Sequence, residues 1–219
     1  MLKNDKKYLF ISPHADDVEH GCAGTISKLI RRGTSAENIY IVIFSICAES
    51  LPKGFKNDVM KSEALQSVRK MKLRSDKEHL IIFNFKVRNF PENRQQILNT
   101  LIDLRKKIKP DYVFAPTTTD IHQDHQTITQ ESMRTFKITA SLFGYEILHN
   151  NFKSHNHLFV KLTDRDIEIK IKAIECYKSQ LAKTENGTLA KRLTSLANVR
   201  GQMVNSEYVE MFEVIRVIE

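Results

Sequence analysis

The sequence predicts an α/β protein, a Rossmann-like open and mostly parallel sheet with helices on both faces and a C-terminal α+β extension of the same domain. Three observations carry this expectation. Short apolar runs alternate with helical patterns over the first two thirds of the chain. The runs are nearly continuous in polarity, as strands covered by helices on both sides must be. No linker rich in Pro, Gly or Ser divides the 219 residues, so residues 1–219 read as one domain.

The elements follow in order. Tyr8 to Ile11 is a short buried strand, and Thr25 to Arg32 is a helix with Ile26, Leu29 and Ile30 on one face, stopped by Gly33. Ile39 to Ile46 is the most β-branched run, and a loop through Pro52 and Gly54 leads to a helix near Val59 to Met71. His79 to Phe85 is a third strand. After Pro91 comes the helix Arg94 to Ile108, then the strand Asp111 to Ala115 and the helix Gln126 to Lys137. The C-terminal third breaks this rhythm. Ser141 to Ile147 and Leu158 to Leu162 read as short strands, Asp164 to Lys183 as one long helix, Leu189 to Val199 as another helix, and Tyr208 to Val217 as a closing strand.

Composition narrows the class. A hydrophobic fraction of 41% is enough for a full core. Three cysteines without CxxC spacing argue against a disulfide framework and a thiolate zinc site, and point to a reducing compartment. The polar start, Met1 to Lys7, and an apolar stretch that ends at Ser12 are too short for a signal segment or a membrane span, so the expected location is cytoplasmic. The net charge of +8 raises the question of nucleic acid. Its clusters, Arg69 to Lys77 and Arg105 to Lys109, fall at predicted helix ends without aromatic interleaving, where they complement the helix dipole instead. No nucleic-acid partner is expected, although a basic rim would favour an anionic substrate. Self-association into a homo-oligomer is compatible with the sequence.

The chemistry sits in two segments, Ser12-Pro13-His14-Ala15-Asp16-Asp17 and Asp120-Ile121-His122-Gln123-Asp124-His125. Each sets His and Asp together directly after an apolar run. Imidazole and carboxylate are the ligands a borderline divalent metal prefers, and three of them with an open position make a catalytic site. This combination points to a metallohydrolase. Ligands in open α/β sheets bind beyond the carboxyl ends of the strands where strand order reverses, so an order 3-2-1-4 would bring the two segments together. There is no GxGxxG after the first strand, and with only seven glycines a dinucleotide is not expected.

The segment Pro13 to Gly24, taken with His122-Gln123-Asp124-His125, resembles the PIG-L/LmbE family of zinc-dependent N-acetylglucosaminyl deacetylases. Further matches are Arg94-Gln95, Gly144-Tyr145-Glu146, Tyr177-Lys178-Ser179-Gln180, Arg200-Gly201 and Tyr208 to Phe212. Two departures are Ala15, where the family usually has proline, and Glu146 to Asn150, which lacks an aromatic residue found in similar members. The resemblance implies that His14, Asp17 and His125 bind Zn²⁺, or another divalent metal such as Fe²⁺. It makes Asp16 the general base, with a protonated His122 stabilising the oxyanion and Asp124 orienting a histidine. The implied substrate is an N-acetyl amino sugar or a conjugate of one, as in surface-polysaccharide or glycoconjugate synthesis.

Competing readings are a helix cap for Asp16 and Asp17, a non-heme iron(II) oxygenase built on His14, Asp16 and His125, and a binding module that keeps the fold without the chemistry. Arg88 and Arg94 are candidates to line the cleft and hold substrate, with solvated surface as the alternative. Glu146 and Arg200 are candidate buried partners. His20 reads as structural, His149, His155 and His157 as loop residues, and His79 as the start of a strand. Cys22 is expected to pack under the metal loop, and Cys47 and Cys176 to be small hydrophobes.

Overall fold

A computed structural model describes residues 2–153, 156–183 and 188–219. Every residue of the first strand, β1 (Tyr8–His14), is buried. Tyr8 and Phe10 enter the core on one face of the sheet, and Leu9 and Ile11 enter the core on the other. That is the period of two in a strand covered on both sides. The chain then alternates through α1 (Asp17–Arg31), β2 (Ile39–Ser45), α2 (Val59–Lys70), β3 (Leu80–Ile82), α3 (Arg94–Ile108), β4 (Tyr112–Pro116), α4 (Gln123–Phe136) and β5 (Ser141–Tyr145). The rest runs β6 (Asn156–Leu162), α5 (Asp164–Ile174), α6 (Lys178–Leu181), α7 (Thr188–Gln202) and β7 (Tyr208–Arg216).

The seven strands form one sheet in the order β3-β2-β1-β4-β5-β7-β6. β3, β2, β1, β4 and β5 are parallel, and β7 runs antiparallel between β5 and β6. The expected 3-2-1-4 order and the α/β class are therefore present, and β1 and β4 meet at the switch point. One core lies between the sheet and α1, α2, α5 and α7, the other between the sheet and α3 and α4. The basic clusters close α2 and α3, with Arg69 and Lys70 in one last turn and Arg105, Lys106 and Lys107 in the other. No helix among the described residues is long and apolar enough to cross a membrane. All three cysteines are free and buried.

Three expectations on element bounds need correction. The first helix begins at Asp17 rather than Thr25, so the last residue of the first motif opens it. The second motif likewise sits on a helix start, because α4 begins at Gln123 and not at Gln126. The long helix expected over Asp164 to Lys183 is broken between Ile174 and Lys178. Tyr177 leaves helical geometry there (φ −84°, ψ 67°), and its buried hydroxyl donates to Ala15 O at 2.5 Å and to Glu19 Oε1 at 2.9 Å. A helix that continued through Tyr177 would give up these contacts behind the first motif. Helix α1 in turn lies directly on Tyr145, because Gly21 has no Cβ to meet it: one built there would come within 2.5 Å of the ring.

Candidate metal centre and active-site cleft

The first motif leaves β1 and enters α1 within two residues. Ser12 Oγ accepts the Val18 N–H at 3.2 Å and so satisfies an otherwise orphan donor of the helix start. Asp16 occupies the N-cap position but makes no side-chain cap bond. Its carboxylate faces the cleft, 3.6 Å from His20 Nε2. Capping therefore accounts for Ser12, not Asp16. Asp17 turns back, and its Oδ2 accepts the His14 N–H at 2.7 Å.

Three donor atoms from the two motifs converge. His14 Nδ1 and His125 Nε2 lie 3.0 Å apart, and Asp17 Oδ2 is 3.3 Å from the first and 3.2 Å from the second. A tetrahedral ion with bonds of ~2.0–2.1 Å has donor separations of roughly 3.3 Å, so the triangle fits a zinc-sized cation. The outer ring nitrogens are already committed. His14 Nε2 is 3.0 Å from Asp124 Oδ2, and His125 Nδ1 is 2.8 Å from Asp120 Oδ2. With those N–H groups turned to carboxylates, the two facing nitrogens carry lone pairs. Lone pairs at this distance call for a cation between them.

The surrounding carboxylates draw positive charge to the same point. Burial by itself lowers the pKa of both imidazoles, yet Asp17 acting on both, Asp124 on His14 and Asp120 on His125 raise His14 to about 9 and His125 to about 10. Burial opposes the ionisation of Asp17 too, and the two histidines hold its carboxyl well below the usual carboxylate range. Asp124 is clamped from the far side by the backbone N–H of Arg88 at 2.6 Å and of Phe90 at 3.2 Å. Reaching it puts Arg88 in the left-handed region at φ 69°, a strained conformation for a side-chain-bearing residue next to a reactive centre.

His122 caps α4, its Nδ1 accepting the Asp124 N–H at 3.1 Å. Burial, then the proximity of His14 and His125, lowers its pKa. In its neutral form the ring that accepts this bond at Nδ1 carries its proton on Nε2. A neutral imidazole remains a donor.

These groups stand at the floor of a cleft of about 700 Å³. Arg88 lines it, but Arg94 does not: Arg94 opens α3 and pairs with the fully buried Glu131 of α4. His20 and His149 both reach the cleft. Glu146 and Arg200 form a two-point pair at 3.2 and 2.5 Å, on the cleft's edge. His79 is buried against Tyr40 and bonded to Asp76, at the start of β3. Cys22 is buried in α1. His155 lies outside the described residues. Asp120 had no role in the sequence reading, although it opens the second motif five residues before His125. The clue to His20 was its spacing of four from Asp16, which puts both on one helix face.

The family model for PIG-L, described as GlcNAc-PI de-N-acetylase, matches residues 9–136, more than half of the chain and both motifs. The chain belongs to this family. The "uncharacterized deacetylase YaiS" of Escherichia coli K12 is 23% identical over 184 residues, 80% of this chain and 91% of the relative. The N,N'-diacetylchitobiose deacetylase of Pyrococcus horikoshii, solved with an inhibitor, superposes with a TM-score of 0.77 at 21% identity, over 96% of this chain and 84% of its own. GalB of Pseudomonas putida KT2440, a 4-carboxy-2-hydroxymuconate hydratase, superposes with a TM-score of 0.74 at 16% identity, over 98% of both chains. Deacetylases and a hydratase share this fold, so the reaction must be argued from the site.

Proposed function

We propose that this chain is a metal-dependent hydrolase that removes the N-acetyl group from an amino sugar or its conjugate, with the whole chain as one catalytic domain. The observation that carries the reading is the pair of buried imidazole nitrogens 3.0 Å apart, sharing Asp17 Oδ2, with an uncapped Asp16 carboxylate in the same cleft. His14, Asp17 and His125 would hold Zn²⁺, which supplies Lewis acidity that activates water near neutral pH and polarises an amide carbonyl.

The chain's own residues then have distinct tasks. Asp16, free of the helix cap, takes the proton of the attacking water and returns it to the leaving amine as the C–N bond breaks. His122 Nε2–H donates to the oxyanion of the tetrahedral adduct. Asp124 and Asp120 keep His14 and His125 in the tautomers that present lone pairs inward. Arg88, which lines the cleft, would hold the sugar. The oxygenase reading takes Asp16 as its carboxylate ligand, whereas the oxygen within 3.3 Å of both facing ring nitrogens belongs to Asp17. The same donors also suit iron(II), and elemental analysis of the purified protein separates the two metals.

The test is acetate release from a panel of N-acetylglucosamine conjugates, before and after chelation and metal restoration. Release that stops with chelator and returns with metal is expected. Turnover indifferent to chelator, or none from any conjugate by metal-loaded protein, would overturn the assignment.

A further inference from the structure

Asp16 and His20 stand four residues apart at the start of α1, so their side chains rise on one face of the helix, and both line the cleft. Among the described residues neither side chain accepts or donates a hydrogen bond, and the ion pair of Asp16 Oδ2 with His20 Nε2 at 3.6 Å is the only one either makes. The two side chains are 16% and 15% exposed, so water screens them less than a pair on the open surface. Helix stability does not account for the ring. The N-terminus carries the positive end of the helix dipole, and a group that can take up a proton gains nothing for the helix there.

The turn that carries His20 is held from behind by buried charge. In an uninterrupted helix the Gly24 N–H meets the His20 carbonyl. Here Lys170 Nζ reaches His20 O at 2.6 Å, the Gly24 N–H donates to Glu210 Oε1 at 2.9 Å, and Lys170 pairs with that same oxygen at 2.6 Å. The Thr25 N–H donates to the other Glu210 oxygen at 2.6 Å. An ion pair therefore spans this rung of α1. A buried ion pair is a weak source of stability, and it suits the task of fixing the direction of one turn.

We propose that His20 is a positioning residue for Asp16: its Nε2–H donates to Oδ2 and leaves Oδ1 for the attacking water. This rests on the deacetylase reading above. A small torsion of either side chain closes the 3.6 Å gap to hydrogen-bond length, as contacts of catalytic groups do when a site is filled. The Lys170–Glu210 pair fixes the turn that brings the ring there. His20 acts through Asp16 and touches neither the metal donors nor the reacting atoms.

The experiment compares His20→Leu, which removes the donor, with His20→Gln, whose amide N–H can replace it. On zinc-loaded protein, with an N-acetylglucosamine conjugate that yields acetate, His20→Leu should lower kcat by about tenfold and leave KM within about twofold, part of the roughly 10²–10⁴-fold that a general base supplies. His20→Gln should recover most of the loss. In an Asp16→Asn background His20→Leu should cost nothing further, because a residue that acts through Asp16 is silent without it. Nitrogen-15 NMR without substrate should show the proton of the His20 ring on Nε2, protected from exchange, and the protection should vanish in Asp16→Ala. That comparison keeps His20 intact and does not depend on the folding of its variants. An unchanged kcat in His20→Leu, an equal fall in the Asp16→Asn background, or an unprotected Nε2–H in the parent overturns the proposal. If no conjugate yields acetate, a protected proton that is lost in Asp16→Ala upholds the pairing, and the failure counts against the deacetylase reading.

Discussion

The parallel half of the sheet, around β1 and β4, and the antiparallel half, with β6, β7 and the helices between them, contribute to one cleft in different ways. In the first, each metal-facing donor lies within nine residues of a strand's carboxyl end, and short strand-to-helix turns aim it. In the second, no side chain among the described residues reaches the donor triangle; the residues support and enclose it. Tyr177 is bonded behind Ala15, Lys170 Nζ holds His20 O at 2.6 Å and Glu210 Oε1 at 2.6 Å, and Glu210 accepts the N–H groups of Gly24 and Thr25. Donor geometry is set locally here, while its support depends on packing between distant segments. Damage to the first half should therefore abolish chemistry in a folded protein, and damage to the second should cost stability.

The sharpest way to break that contrast is to remove the donors. His14→Ala with His125→Ala should eliminate bound metal by elemental analysis and lower kcat/KM by about 10³-fold or more, with the fold retained. Stoichiometric metal in the double variant would sink the assignment. Asp16→Asn should keep the metal and lower kcat by about 10²–10⁴-fold, because it removes a proton acceptor without touching a ligand. If it loses metal instead, while Asp17→Asn retains it, the two carboxylates have exchanged roles.

The second half should respond in stability. Lys170→Met leaves Glu210 buried without its counter-ion and should destabilise by about 3–5 kcal/mol in denaturant unfolding, with metal stoichiometry intact in the folded fraction. An intermediate case is Asp120→Asn, which leaves the ligand set complete but loosens His125. Metal affinity should fall by about 10–100-fold in a competition titration with a chelator.

The smallest effect expected is one of pH. Burial raises the pKa of Asp166, but Arg31, Thr163 and Ser27 outweigh it and hold the carboxyl below its usual range. A carboxyl more acidic in the folded than in the unfolded chain adds stability that is full above the unfolded value of about 3.9 and is lost as pH falls through the folded one. Asp166→Asn should flatten the acid limb of the stability profile below that value. An unchanged acid limb would show that the link between α1 and α5 contributes no pH dependence.

Much of the first half was legible in sequence. Continuous apolar runs such as Ile39 to Ile46 identify strands covered on both faces, Arg94 to Ile108 matches α3 residue for residue, and the paired His and Asp motifs mark where the chemistry lies. These signals are local, since strand periodicity and ligand type are properties of a few consecutive residues. The break at Tyr177 was not legible, because the helical pattern runs through it and only the distant Ala15 and Glu19 stop the helix there. Arg94 and Arg88 are alike in sequence, six residues apart after the same strand. Glu131, thirty-seven residues away, draws Arg94 to α4 and leaves Arg88 at the cleft. The role of Asp120 likewise depends on which ring nitrogen of His125 it meets. The sequence by itself determined the layered fold, the switch point and the two segments that supply the proposed ligands, since these depend on local pattern and the rules of parallel sheets. Which arginine faces the cleft and where the C-terminal helix breaks were decided only by tertiary packing, because each turns on a contact between residues far apart in the chain.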